Sequence, residues 1–111
     1  MSISELARER IASVIHSDRV VLFMKGTPES PQCGFSATVV QLLSAAYIPY
    51  TGFDVLQDPE IRAGIKEYSS WPMIPQLYID GGFIGGCDIV EELYASGDLE
   101  TKLSGSPPHV A

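Results

Sequence analysis

The feature of this sequence with the most chemical meaning is a cysteine followed three positions later by a serine, in Cys33-Gly34-Phe35-Ser36. A Cys-x-x-Cys pair closes on itself after it has reduced a target disulfide. Cys-x-x-Ser cannot, because it has no neighbouring thiol to resolve a mixed disulfide. The Cys33 thiolate must therefore form a mixed disulfide that another thiol resolves, or bind a soft metal and stay bound.

Cys33 stands just before a predicted helix, and this position favours the thiolate. The unpaired N–H groups and the positive end of the helix dipole stabilise a negative sulfur. Lys25, at the end of the preceding strand, adds a positive charge from the same side. Two questions remain open. Cys33 could instead be a small buried hydrophobe, and Ser36 could either donate a hydrogen bond to the sulfur or simply bond to the backbone.

A second group of candidate residues lies in the glycine-rich stretch Gly85-Gly86-Cys87-Asp88. The glycines let a ligand approach the backbone, and the N–H groups of Cys87 and Asp88 at a helix start can hold a carboxylate. Asp88 can also bind an ammonium group, or simply form a capping box with Glu91. Cys87 either contributes only its backbone, the interpretation that we favour, or forms a disulfide with Cys33.

Composition and charge exclude several classes of function. A chain of 111 residues suits one domain. The net charge of −7, with seven lysines and arginines, argues against nucleic acid as a partner. No apolar run approaches the ~18 residues of a membrane span, so no membrane association is expected. Two distant cysteines without an export signal indicate a reducing compartment, the cytoplasm or, after loss of a transit peptide, the matrix of a mitochondrion or plastid.

The pattern of apolar residues predicts a thioredoxin-like α/β domain over residues 1–104, with a mobile tail over 105–111. Its mixed four-stranded sheet carries helices on both faces. The second strand runs parallel to the first because a helix separates them. The predicted elements are a helix over 3–16, a strand over 19–24, a loop over 26–31, a helix over 37–46, a strand over 49–55, a helix from 59 capped by Asp58, a hairpin of 76–80 with 83–85, and helices over 88–96 and 99–103.

Four motifs give the chain its family resemblance: Lys25-Gly26-Thr27-Pro28, residues 31–36, Trp71-Pro72 with Ile74-Pro75-Gln76, and Gly85-Gly86-Cys87-Asp88. In this order and at these separations they closely resemble the monothiol, Cys-Gly-Phe-Ser class of glutaredoxins, over about residues 3–103. The resemblance implies a cis proline at Pro75, opposite the active cysteine, with the Ile74 N–H and C=O turned toward the cleft. Met73 stands where the family usually has threonine, so a hydroxyl contact is lost there while backbone contacts survive.

The resemblance also implies a ligand, glutathione, which offers two carboxylates, an amine, a peptide backbone and a thiol. Its glycyl carboxylate would meet Lys25 and Arg62. Its cysteinyl part would meet the Ile74 backbone, and its γ-glutamyl end Cys87 and Asp88. Without the resemblance, Arg62 could equally belong to a solvated helix face. The implied glutathione-binding residues are Lys25, Phe35, Arg62, Ile74, Pro75, Cys87 and Asp88.

The leading functional hypothesis is a carrier of 2Fe-2S clusters. Two protomers would each give Cys33 and one glutathione thiolate to a bridging cluster, which makes a cluster-bridged homodimer. The resemblance implies delivery to iron–sulfur apoproteins, with a BolA-type protein as a further partner. The alternative is a thiol-disulfide oxidoreductase that reduces protein–glutathione mixed disulfides through Cys33, an activity that we expect to be weak. A third hypothesis is an interaction module in which Cys33 has no role.

Overall fold

The elements of the fold follow the order that the sequence predicts. A computed structural model of the chain describes residues 4–104. A 3-10 turn (Val55–Gln57) follows the fourth strand. The other elements are α1 (Glu5–Ile15), β1 (Val20–Met24), β2 (Gly26–Thr27), β3 (Ser30–Pro31), α2 (Gly34–Ala45), β4 (Thr51–Asp54), α3 (Pro59–Ser69), β5 (Gln76–Ile79), β6 (Gly82–Gly85), α4 (Cys87–Ser96) and α5 (Asp98–Ser104).

Strand β1 lies inside a four-stranded sheet of order β4-β1-β5-β6. It pairs in parallel with β4, where Phe23 lies opposite Phe53, and antiparallel with β5, where Leu22 lies opposite Leu77. Strands β5 and β6 form the predicted hairpin. All five residues of β1 are buried, as its continuous apolar sequence predicts for a strand covered on both faces.

Each face of the sheet carries its own core, because successive side chains of β1 point to opposite sides. Val20, Leu22 and Met24 pack against apolar residues of α2, α4 and α5. Val21 and Phe23 pack on the other face against apolar residues of α1 and α3. The predicted fold class, a mixed four-stranded sheet with helices on both faces, is therefore confirmed.

Helix α3 begins where the sequence predicts. The Asp58 carboxylate caps it by accepting a 3.1 Å hydrogen bond from the Ile61 N–H, and Pro59 follows as the first helical residue. Arg10 of α1 forms ion pairs with both Asp58 and Glu60. The start of α3 is thereby tied to α1 on the same face of the sheet.

Four predictions about local structure need correction or lie outside the described residues. Asp88 does not form a capping box: Gly86 is the N-cap of α4 without a side-chain hydrogen bond, and Asp88 already belongs to the first helical turn. The predicted loop over 26–31 contains the short β2–β3 ladder, in which Gly26 pairs with Pro31. Helix α2 begins at Gly34, earlier than its apolar periodicity indicates. The predicted tail, 105–111, lies outside the described residues.

None of the helices between Ser4 and Ser104 combines the length and the apolar character that crossing a membrane requires.

Candidate functional site

Cys33 is the N-cap of α2, with extended backbone angles φ −153° and ψ 138°, and its side chain is partly exposed. Its pKa lies below that of an ordinary thiol, chiefly because the Ser36 backbone N–H stabilises the thiolate. Partial burial opposes this effect, whereas the Phe35 N–H and the charge of Lys25 add to it. The Cys33 side chain does not form a capping hydrogen bond of ordinary geometry. The N–H groups at the start of α2 still favour the thiolate form.

Ser36 is fully buried, and its hydroxyl has a structural partner. Its Oγ accepts a 3.2 Å hydrogen bond from the Lys25 backbone N–H, which joins the end of β1 to the first turn of α2. The same hydroxyl makes the smallest of the contributions that lower the pKa of Cys33. Of the two roles that the sequence left open for Ser36, the backbone contact is therefore the dominant one.

A pocket of about 340 Å³ lies next to the first turn of α2, and neither Cys33 nor Lys25 is among its lining residues. Phe35 of α2 forms one wall, and Trp71 and Met73 of the α3–β5 connection form another. Ile74, Pro75, Cys87 and Asp88 also line it. The structure therefore brings five of the predicted glutathione-binding residues, Phe35 among them, to one pocket. A second pocket, of about 300 Å³, is lined by Asp18, Tyr47 and Glu100 and includes no cysteine.

The Ile74 backbone is the most unusual feature of this pocket. The Ile74-Pro75 peptide bond is cis, as predicted. Ile74 is only 7% exposed, yet neither its N–H nor its C=O makes a hydrogen bond to any part of the chain that the structure describes. Buried backbone groups in native proteins are nearly always paired. A ligand in the pocket is a suitable partner for them.

Gly86 brings the start of α4 against the same segment. A side chain at this position would place its Cβ 3.2 Å from the Pro75 carbonyl oxygen and 3.3 Å from Trp71 Nε1. Helix α4 has no side-chain cap, so the N–H groups of Cys87, Asp88 and Ile89 stay unpaired among residues 4–104. Three donors at a helix start suit an anionic group.

Cys87 differs electrostatically from Cys33. Burial raises the pKa of the Cys87 thiol, and the charges of Glu91, Asp88 and Cys33 raise it further. The two sulfurs are thus close enough for the charge of one to affect the other. Both cysteines are free thiols. Of the two thiols, Cys33 is therefore the better candidate for a nucleophile or metal ligand, because its pKa is lowered whereas that of Cys87 is raised.

Comparison with known proteins agrees with this geometry. The Glutaredoxin family model matches residues 20–84, more than half of the chain. A ycf64-like monothiol glutaredoxin of Synechocystis sp. is 53% identical over 86% of this chain and 90% of its own length. The chain belongs to the monothiol glutaredoxin family. Chloroplastic monothiol glutaredoxin-S7 of Oryza sativa subsp. japonica is 55% identical over 86% of this glutaredoxin, which spans 57% of that relative.

Solved glutaredoxin structures share the fold. Reduced poplar apo GrxS14 has a TM-score of 0.77 and 51% identity, covering 88% of this chain and 90% of the other. A buckwheat glutaredoxin–glutathione complex has a TM-score of 0.81 and 25% identity, covering 91% and 90%. A further relative, monothiol glutaredoxin-5 of Saccharomyces cerevisiae, is mitochondrial and 49% identical over 93% of this chain and 71% of its own. Relatives of this glutaredoxin thus include chloroplastic, mitochondrial and cyanobacterial proteins.

The two predicted cationic residues of this glutaredoxin occupy different places. Lys25 lies between β1 and β2, partly buried, and its charge reaches Cys33. Arg62 lies on α3, exposed, without an ion pair to any described residue, and it does not line the pocket.

Sequence reasoning missed Gln76, a fully buried polar side chain directly after Pro75. Its signals in the sequence are its place in the Ile74-Pro75-Gln76 motif and a glutamine at the start of the otherwise apolar strand β5.

We expect the two cysteines of this glutaredoxin to alkylate with different pH profiles. The rate with iodoacetamide follows the thiolate fraction, so the midpoint for Cys33 should fall at lower pH than that of an ordinary thiol, and the midpoint for Cys87 at higher pH. Cys87→Ser and Cys33→Ser variants isolate the two profiles. Lys25→Gln should raise the Cys33 midpoint only slightly, because the helix N–H group contributes more. Coincident profiles for the two thiols would refute this electrostatic difference.

Proposed function

We propose that this glutaredoxin binds glutathione in the pocket beside Cys33 and, as a homodimer, carries a 2Fe-2S cluster as cargo for apoproteins. The observation that supports this most strongly is the combination of a stabilised Cys33 thiolate with the unpaired Ile74 backbone at the adjoining pocket. A thiolate alone suits many reactions. A thiolate next to unpaired peptide groups suits a ligand that is itself a thiol-containing peptide.

The groups around the pocket match the parts of glutathione. Its cysteinyl residue can pair with the Ile74 N–H and C=O in the manner of an added strand. Its γ-glutamyl carboxylate suits the unpaired N–H groups at the start of α4, with the exposed Asp88 carboxylate near its ammonium group. Lys25 and Arg62 do not line the pocket, so they can meet the glycyl carboxylate only if the ligand extends beyond it. The glutathione complex of buckwheat glutaredoxin supports glutathione as the ligand.

The need for glutathione in cluster binding follows from the thiols that the chain offers. An iron–sulfur cluster takes thiolate ligands, four for the 2Fe-2S type. Cys33 supplies one per protomer. Cys87, the only other cysteine, is held protonated by burial and nearby carboxylates. Two protomers therefore supply two thiolates, and two bound glutathione thiolates complete the set.

Partners and compartment follow from this role. A cluster held in part by a dissociable small molecule suits transfer, so we propose iron–sulfur apoproteins as recipients and a BolA-type protein as a further partner. We place the protein in the cytoplasm, or in an organelle matrix if a transit peptide has been removed.

A second candidate function, reduction of protein–glutathione mixed disulfides, is favoured by the lowered pKa of Cys33. The Cys33 thiolate attacks the glutathione sulfur, the mixed disulfide breaks, and the target leaves as a thiolate that takes up a proton. A second glutathione thiolate then attacks the glutathione sulfur of the new mixed disulfide, which forms oxidised glutathione and releases the Cys33 thiolate. Rapid turnover in a glutathione-coupled assay would favour this function over the carrier.

The test of the carrier function is anaerobic reconstitution with ferrous iron, sulfide and glutathione. We expect a visible absorption spectrum of a 2Fe-2S cluster, and none when glutathione is left out. A protein that stays colourless with glutathione, or that is equally coloured without it, would overturn the proposal. Gel filtration of the coloured fraction should give a dimer.

A further inference from the structure

Gln76 is a buried polar residue with no part in the chemistry described above. Its side chain is fully buried at the start of β5, and only Ser36 shares this property among the polar residues that the structure describes. Its Nε2 donates hydrogen bonds to the carbonyl oxygens of Trp71, at 3.0 Å, and Met73, at 3.2 Å. Its Oε1 accepts a 3.2 Å hydrogen bond from the Tyr78 hydroxyl. Both hydrogens of the Gln76 amide are therefore bonded to carbonyls of the segment 71–73, which leads to Ile74.

These hydrogen bonds fix the direction of the Ile74 N–H. The Met73–Ile74 peptide bond is trans, since Ile74-Pro75 is the only cis bond among residues 4–104. In a trans peptide unit the C=O and the following N–H point in opposite directions within one plane. Because the Met73 C=O points at the Gln76 amide, the Ile74 N–H points away from it. That N–H has no partner in the described chain.

Side-chain packing holds this segment only at its ends: the Trp71 ring lies against Phe83 with centroids 6.0 Å apart, and Ile74 is buried in the core. Met73, between them, is 56% exposed. Hydrogen bonds fix the backbone: the Trp71 N–H donates to Ser69 Oγ at 3.1 Å, and the Trp71 and Met73 carbonyls accept from Gln76. A segment fixed before binding loses less entropy when a ligand arrives.

We propose that Gln76 is a positioning residue for peptide recognition, whose amide aims the Ile74 N–H at the backbone carbonyl of the bound glutathione. This inference rests on one part of the proposed function, namely that glutathione binds in the pocket. It predicts that Gln76 controls glutathione affinity and leaves the reactivity of Cys33 unchanged, because no contact links Gln76 to Cys33.

The test compares Gln76→Met with the matched variant Tyr78→Phe. Gln76→Met removes both amide donors, whereas Tyr78→Phe keeps them and removes only the hydroxyl that binds Oε1. The probe is S-methylglutathione, which cannot form a disulfide, titrated against the 15N-labelled protein while the Ile74 amide resonance is followed. We expect Gln76→Met to raise the Kd about tenfold, the effect of one lost hydrogen bond, and Tyr78→Phe to change it less than about twofold. The pH profile of Cys33 alkylation should be the same in both.

Gln76→Glu gives a second, independent measurement that also serves if Gln76→Met does not fold. Once ionised, a carboxylate here faces the Trp71 and Met73 carbonyls and repels them, and burial raises the pH at which it ionises. At lower pH the protonated acid regains one donor, so its affinity relative to the unchanged protein at the same pH should recover. A residue that only fills the core would show no such recovery.

The outcomes separate this inference from the proposed function. If the unchanged protein binds S-methylglutathione and the Gln76 variants bind it as tightly at every pH, the positioning role is wrong and the glutathione site stands. If Tyr78→Phe weakens binding as much as Gln76→Met, the network is only structural and the positioning role is again wrong. If the unchanged protein does not bind the probe, the proposed function fails, and the positioning role fails with it.

Discussion

Cys33→Ser is expected to abolish cluster assembly, so that the reconstituted protein shows no visible absorbance, while Cys87→Ser keeps the full spectrum. A serine hydroxyl stays protonated at neutral pH and is a poor ligand for iron in such clusters. At position 33 the start of α2 lowers the pKa of the thiol and so favours the thiolate that binds iron. No such stabilisation acts on Cys87, whose pKa burial and carboxylates raise.

The two variants are matched, since each removes one of the two partly exposed thiols and leaves the other. Circular dichroism should show the same fold for both, and the iron content per protomer gives the result directly. A cluster that survives Cys33→Ser, or that is lost in Cys87→Ser, would show that the sulfur ligands have been assigned to the wrong residue.

Gly26→Ala is expected to lower the free energy of unfolding by at least about 2 kcal/mol, because this position needs a left-handed backbone and has no room for a Cβ. The φ angle of Gly26 is +91°, and a Cβ would lie 2.5 Å from the Ser30 carbonyl oxygen and 2.6 Å from the Gln32 nitrogen. Both neighbours are backbone atoms of the loop that leads to Cys33. The Gly26 N–H also donates to Asp54 Oδ1 at 2.9 Å, which ties this loop to β4.

Gly34→Ala is the matched control on the other side of Cys33. Its Cβ would meet no atom within 4 Å, and it opens α2, where alanine is the better helix former by up to about 1 kcal/mol. Its stability should be unchanged or slightly higher. Urea unfolding followed by circular dichroism measures both variants, and Cys33 alkylation should slow only in Gly26→Ala. Equal stability of the two variants would show that the loop adapts to a side chain at position 26.

Local signals in the sequence were enough for most of the fold. The Asp58-Pro59 pair fixed the start of α3, and the continuous apolar run of β1 predicted a strand buried on both faces. The start of α4 was predicted wrongly. Asp88 and Glu91 have the spacing of a capping box, but Gly86, with extended backbone angles, takes the capping position and begins the helix one residue earlier than expected. Sequence spacing alone does not say which of several adjacent residues becomes the cap.

For the candidate site, the sequence indicated some of the residues that line the pocket, but it misplaced Arg62 and missed Gln76. Residues within a motif, such as Phe35, Ile74 and Cys87, reach one pocket because the motif itself fixes the local backbone. Arg62 lies outside this pocket because the rotation of α3 against the sheet, set by its buried face, decides where its exposed residues point. Gln76 was missed because its role depends on a loop that folds back over it. A glutamine in a strand otherwise suggests a solvent-facing position.

Native mass spectrometry of the anaerobically reconstituted protein would weigh every component of the proposed assembly at once. We expect one species that contains two chains, two glutathione molecules and one 2Fe-2S cluster, and that falls apart into monomers when glutathione is removed. A cluster bound to a single chain, or a dimer that holds its cluster without glutathione, would show that this glutaredoxin does not share its cluster between Cys33 and a glutathione thiolate.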